Sequence, residues 1–151
     1  MAAKKTKTKA QEQFEAHDRT LPFDGPEVID KEVLECFDYE YADKPIGRNM
    51  EIVTNTDEFT SVCPFSGLPD FACVTIAYRP DRKCLELRSL KYYLMSYRSV
   101  GIWYEHLVNR MLEDLVEVCK PQTMTITIDV NSRGGLQSTV TASYPYQESK
   151  S

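Results

Sequence analysis

Histidine is nearly absent from this chain: His17 and His106 are the only two among 151 residues. The cysteines Cys36, Cys63, Cys73, Cys84 and Cys119 are odd in number and never fall as a Cys-x-x-Cys pair. These two shortages argue against a disulfide framework and against a structural zinc site, so no metal is expected and reduced, cytoplasmic thiols fit best. No apolar run approaches the roughly 18 residues needed to cross a bilayer, and no signal peptide is visible, so no membrane partner is expected. A net charge of −5 gives no general reason to expect direct nucleic-acid binding, although it leaves room for a local basic pocket. There is no Walker-type loop and no G-x-G-x-x-G, so any dinucleotide would bind outside a Rossmann fold.

What is present is ordinary for a soluble domain, with 42% hydrophobic and 27% charged residues. The length suits one domain with a real core. Residues 1–20 are Lys-, Ala-, Gln- and Glu-rich and read as a disordered tail, and residues 147–151 as a frayed end, which leaves 21–146 as the folded unit. Leu21, Phe23 and two prolines suggest an extended arm lying on a surface. Residues 33–41 alternate apolar and acidic side chains and predict a strand; Met50 to Thr54 predicts a second, short one. Phe71 to Tyr78 is the strongest strand signal, and Cys84 to Leu87 is expected to return beside it as an antiparallel partner. Leu90 to Tyr97 predicts a short helix, and Ile102 to Cys119 a longer amphipathic one stopped by Pro121. Thr123 to Val130 and Leu136 to Tyr144 complete the pattern as a hairpin. Strands in hairpins with helices grouped between them indicate an α+β fold with an antiparallel sheet.

Four clusters carry candidate chemistry. In Thr60 to Phe71 a cysteine, Cys63, is followed by Pro64, Gly67 and Pro69 and then by Asp70. Restricted backbone can hold a nucleophilic sulfur near a carboxylic acid, though a buried, inert cysteine and a turn aspartate read as well. Arg88 and Lys91, within Glu86 to Tyr93, can bind phosphates or simply be solvated charges. Tyr104 and Glu105, beside Trp103 and His106, can grip a planar heterocycle with N–H donors, or merely open a helix favourably. Arg133-Gly134-Gly135 permits close approach of an anion and equally makes a hairpin turn.

Taken together, the order and text of these clusters resemble the single-module NADPH-dependent 7-cyano-7-deazaguanine reductases, the nitrile reductases of queuosine biosynthesis. The similarity runs from about Glu58 to Thr141. It rests on the Phe59-to-Asp70 loop, on Glu86 to Tyr93, and then on Ser96-Tyr97-Arg98, Tyr104-Glu105, Asn109-Arg110 and Arg133-Gly134-Gly135. The resemblance implies a tunnelling fold, with two helices on one sheet face, assembled into homo-oligomeric rings with active sites between subunits. It implies that Cys63 adds to the nitrile carbon to give a thioimide, that Asp70 is the proton donor, and that two NADPH hydrides complete the reduction to the amine. It further implies substrate contacts from Leu85, Glu86, Leu87, Tyr104 and Glu105, and NADPH contacts from Arg88, Lys91, Arg133 and Gly134. The chain departs from the common pattern at Arg88 (often Lys), Tyr104 (often His) and Leu68 (often Gln). A related amidinotransferase acting on a nitrile-bearing tRNA base, and a non-catalytic purine-binding ring protein, are the competing expectations.

Overall fold

The computed structural model describes residues 21–47 and 49–146; the expected tail and frayed end lie outside the described residues. In chain order the elements are β1 (Cys36–Asp38), β2 (Ile52–Val62), β3 (Pro69–Arg79), β4 (Lys83–Leu85), α1 (Leu87–Met95), α2 (Tyr104–Cys119), β5 (Thr123–Val130) and β6 (Thr139–Tyr144). Two single-turn 3-10 helices, Pro26–Val28 and Lys31–Val33, precede them.

Alternation builds the main sheet. Along β3, Ala72, Val74, Ile76 and Tyr78 are buried, and along β5, Met124, Ile126, Ile128 and Val130 are buried, so one face of each strand is apolar. The antiparallel order is β2-β3-β5-β6. Both helices lie on that apolar face. Leu107, Val108, Met111, Leu115 and Cys119 of α2, with Leu90 and Tyr93 of α1, join the same core cluster. The α2 helix ends at Lys120, in the left-handed region at φ 48°, immediately before Pro121.

Two expectations change. Lys83–Leu85 does not return beside β3; it pairs with β1, Cys36 opposite Leu85, in a separate two-stranded ribbon. The edge of β3 is already taken, because β2 pairs along it from Ile52↔Tyr78 to Val62↔Pro69 while β5 takes the other side. The strand expected over residues 33–41 is therefore only three residues long, and the one expected at Met50 to Thr54 is eleven. A bulge between Thr56 and Phe59 explains the second difference. Asp57 and Glu58 interrupt the apolar alternation in the text, but the bulge absorbs them and the ladder continues. It also switches parity. Before it the even-numbered residues face inward; after it Phe59 and Ser61 do.

Candidate active site

The long β2–β3 hairpin delivers Cys63 and Asp70 to one end of the sheet. Cys63 directly follows β2, and Asp70 is the second residue of β3, opposite Ser61. The loop between them closes on itself: the Cys63 amide donates to the Leu68 carbonyl at 2.9 Å, and the Gly67 amide donates to the Cys63 carbonyl at 2.8 Å. Gly67 adopts φ +71°, a conformation that costs glycine nothing.

The loop creates a nest for a sulfur anion. Burial alone pushes the Cys63 thiol up, but the amides of Ser66 and Phe65, the Ser66 hydroxyl and the Arg133 guanidinium together bring it below its ordinary value. The other cysteines with a shifted thiol go the opposite way. Burial raises Cys36 and Cys84, and it pushes Cys119 up to about 12. Cys63 alone among these four is tuned toward the thiolate.

Asp70 is buried, with its carboxylate 2.5 Å from the Arg133 guanidinium. Tyr104, opening α2, points its hydroxyl into the same place: burial first, then hydrogen bonding to and negative charge from Asp70, push it up to about 12. A cavity of about 250 Å³ is lined by Cys63, Pro64, Asp70, Trp103, Tyr104 and Arg133. A cavity of roughly 300–1,000 Å³ is usual for a drug-sized ligand, so this one suits a small planar molecule.

Four of the predicted site residues, Cys63, Asp70, Tyr104 and Arg133, therefore meet. Leu87 and Lys91 do not join them; they line a second, apolar cavity of about 220 Å³ between α1 and β2, with Phe59, Leu90, Leu94 and Arg98. Leu85, Glu86, Arg88, Glu105 and Gly134 line neither cavity. Leu85 is buried in the β1–β4 ribbon, its amide donating to the Tyr78 hydroxyl at 3.0 Å. Glu86 caps α1, its two carboxylate oxygens accepting from the Arg88 amide at 2.8 Å and the Ser89 amide at 2.7 Å. Those two amides hold it below the usual carboxylate range. Glu105 and Arg88 are exposed.

Sequence reasoning missed three contributors. Ser66 supplies two of the donors that favour the Cys63 thiolate. Asn131 and Ser138 line the cavity from the β5–β6 connection. The Arg133–Asp70 pair spans 63 residues, and no local spacing could announce it.

The cationic groups suit an anionic cofactor. Gly134 and Gly135 have φ +57° and +80°, with nothing within 4 Å of where a side chain would begin, so their backbone is bare beside Arg133. Among the described residues no group of three or more His, Cys, Asp or Glu could hold a metal ion, and no helix is long and apolar enough to cross a membrane.

The QueF-like protein family model matches residues 69–149. An NADPH-dependent 7-cyano-7-deazaguanine reductase of Chlorobaculum tepidum is 50% identical over 116 residues, which is 77% of this chain and 96% of the relative. The enzyme of that name from Caldanaerobacter subterraneus subsp. tengcongensis is 50% identical over 131 residues, 87% of this chain and 95% of the relative. Among solved structures, the apo form of the archaeosine synthase QueF-Like matches with a TM-score of 0.58 and 25% identity, over 66% of this chain and 95% of that one. The α+β tunnelling-fold expectation agrees with that likeness and with the sheet and helices described above. This chain belongs to the QueF-like family, alongside relatives that are NADPH-dependent 7-cyano-7-deazaguanine reductases.

Proposed function

We propose that this protein is an NADPH-dependent nitrile reductase that converts 7-cyano-7-deazaguanine to its aminomethyl counterpart. One observation carries the reading: a cysteine tuned toward the thiolate and a buried carboxyl share a cavity sized for a small planar heterocycle. Half-identity to enzymes of that name over nearly their whole length supplies the substrate and the cofactor.

The chemistry follows from the residues. The Cys63 sulfur adds to the nitrile carbon, forming a C–S bond as one C≡N electron pair moves onto nitrogen. Asp70 takes up the proton that the Cys63 thiol gives up and passes it to nitrogen, giving a thioimide. The Phe65 and Ser66 donors that favour the thiolate before attack keep sulfur poised without an adjacent histidine base. NADPH, when bound, would supply the two hydrides that reduction of a nitrile to an amine requires, and Cys63 leaves as its thiolate when the C–S bond breaks. Arg133 and the bare Gly134 backbone would hold it, with Arg88 and Lys91 as further cationic contacts.

Arg88, Lys91, Leu85, Glu86, Leu87 and Glu105 lie away from the Cys63 cavity of their own chain, which supports a site completed by a second copy in a homo-oligomeric ring. The exposed apolar residues nearby fit that reading: Leu136, which lines the cavity, is 78% exposed, and Phe65, next to its lining residue Pro64, is 82% exposed. The net charge of −5 supports a free heterocycle rather than a nucleic acid as substrate, and the reaction is assigned to the cytoplasm.

A specific observation favours one second reading. One solved structural neighbour is an archaeosine synthase, so addition of ammonia to the thioimide is the competing outcome. Identity of 50% to the reductases against 25% to that neighbour weighs for hydride. The test is NADPH oxidation at the nicotinamide band with 7-cyano-7-deazaguanine, together with intact-mass detection of the adduct. No substrate-dependent oxidation sinks the reductase reading, and an ammonia-dependent product formed without NADPH installs the alternative. An adduct that survives Cys63→Ala removes Cys63 as the nucleophile.

A further inference from the structure

We infer that the arm Leu21–Asp24, which lies before the segment matched by the family model, is a positioning element for the nucleophile Cys63. This inference rests on Cys63 being the nucleophile.

The arm touches the Cys63 loop at its functional residue. The Leu21 amide donates to the Ser66 carbonyl at 3.0 Å. Ser66 is the residue whose amide and hydroxyl favour the Cys63 thiolate, so a bond fixing its carbonyl also fixes those donors. The approach is close enough to need glycine: a Cβ on Gly67 would stand 2.1 Å from the Leu21 carbonyl oxygen. Gly67 is thus required twice, for its positive φ and for room.

A second contact holds the chain on the other side of Cys63. Residues 99–102 run between the arm and the end of β2, with Asp24↔Val100 and Val62↔Gly101 paired in parallel. Asp24 donates its amide to the Ser99 carbonyl at 2.8 Å and accepts from the Gly101 amide at 2.9 Å, while the Ser99 hydroxyl donates to its carboxylate at 2.6 Å. On the opposite edge the Val62 amide donates to the Val100 carbonyl at 3.0 Å, and its carbonyl accepts from the Ile102 amide at 3.3 Å. The Phe23 ring packs against Gly101 closely enough to leave no room there for a Cβ. Val62 precedes Cys63, and Ser66 follows it by three residues. The arm therefore grips both flanks of the nucleophile: one through this ladder, one directly.

The result is a built-in bias on thiolate geometry. A loosened arm lets the 63–68 loop relax, its amides drift from sulfur, and the thiol returns toward its ordinary behaviour. The active site's reactivity thus depends on a segment that touches none of the reacting atoms.

The test reads Cys63 without substrate or cofactor. Leu21→Pro removes one amide donor from an extended segment and nothing else polar; Phe23→Ala removes the ring on Gly101, and Phe23→Leu keeps apolar bulk there. The pH profile of Cys63 alkylation by iodoacetamide is followed by intact mass in full-length protein, with thermal melting alongside. Leu21→Pro and Phe23→Ala are expected to move the alkylation midpoint upward and slow the neutral-pH rate roughly threefold or more, with Phe23→Leu recovering most of it. Unchanged midpoints in both variants, or midpoints that move only as the fold itself is lost, overturn the inference. Because no nitrile or NADPH enters, that result is distinguishable from failure of the reductase reading, which the adduct assay decides.

Discussion

Arg133 places a guanidinium nitrogen 2.5 Å from a carboxylate oxygen of Asp70, joining the turn before β6 to the start of β3. The same guanidinium is the one proposed above to hold the anionic cofactor, so on that proposal one side chain serves two partners. Arg133→Ala is expected to weaken NADPH binding and also to leave a buried carboxylate without its partner. Asp70's side chain is 6% exposed but Arg133's is 43%, so solvent screens part of the loss and the stability cost is about 1–2 kcal/mol. Arg133→Lys should recover charge and part of the cofactor affinity, but not the fork geometry. Isothermal titration with NADPH and urea unfolding measure the two effects separately. Unchanged cofactor affinity in Arg133→Ala removes Arg133 from the cofactor site.

Cysteine reactivity should be sharply selective. Cys63 is lowered, so a larger share is thiolate at neutral pH than for the same cysteine without its hydrogen-bond donors and Arg133. The Cys119 thiol, pushed up to about 12 by burial first and its neighbouring sulfurs second, stays protonated across any working pH. Alkylation of native protein near neutrality should therefore modify Cys63 well before Cys36, Cys84 or Cys119, as peptide mapping would show. The linkage signs are opposite. A lowered Cys63 adds stability above its unfolded pKa and loses it as pH falls through the folded value. A raised Cys119 adds stability below its unfolded pKa and loses it as pH rises toward about 12.

Legibility in the sequence followed the range of the interactions. Strands β3 and β5 were readable because alternation is written residue by residue, and the α2 stripe because its period is local. The pairing of β4 with β1 was not, since it depends on which edge of β3 remains free after β2 has run its full length. The length of β2 was hidden by the bulge at Asp57 and Glu58. The restricted loop let Cys63 and Asp70 be read as neighbours, but local spacing could not bring Tyr104 and Arg133 to them, because they arrive from a helix start and a turn far away in the chain.

Tyr104 offers a test of what a phenol does at the opening of α2, beside Asp70. Its hydroxyl is raised to about 12, by burial foremost and by Asp70 next, so it stays neutral and can donate a hydrogen bond throughout the working range. Tyr104→Phe removes that donor while keeping the ring beside Trp103. A fall in kcat of roughly tenfold, with a smaller change in substrate KM, is expected if the hydroxyl orients Asp70 in the transition state. A rise in KM with kcat unchanged would assign it to ground-state binding instead. Because the group does not ionise below about 12, neither wild type nor variant should owe an alkaline limb near pH 8–9 to this residue.

Charged rim substitutions should separate folding from assembly. Leu136 lines the Cys63 cavity, Phe65 follows its lining residue Pro64, and both are almost bare, so Phe65→Asp or Leu136→Asp costs the single chain little, within about 0.5 kcal/mol for an exposed position. If a second copy covers that rim, a buried unpaired carboxylate there opposes association strongly. Size-exclusion with light scattering should show smaller species, with nitrile reduction lost in parallel. A full-sized, active assembly from either variant places the subunit contact elsewhere.

The helices that carry Glu86 and Tyr104 are locked together by one buried polar chain. The Tyr93 hydroxyl donates to Asp114 at 2.8 Å and shares a 2.8 Å hydrogen bond with the Tyr97 hydroxyl, and Arg110 donates to the same Asp114 oxygen at 2.8 Å. Tyr93 and Tyr97 are fully buried and meet edge to face at 5.5 Å between ring centres. Burial, foremost, pushes both phenols up, so they remain neutral donors. Tyr93→Phe removes one donor and leaves Asp114 still held by Arg110, so a loss of about 1–3 kcal/mol is expected. Asp114→Ala takes the shared acceptor from the Tyr93 hydroxyl and the Arg110 guanidinium at once, and its loss should be larger, about 3–5 kcal/mol. Urea unfolding measures both. The order matters more than either value: if Tyr93→Phe costs as much as Asp114→Ala, the carboxylate is not the node that joins α1 to α2.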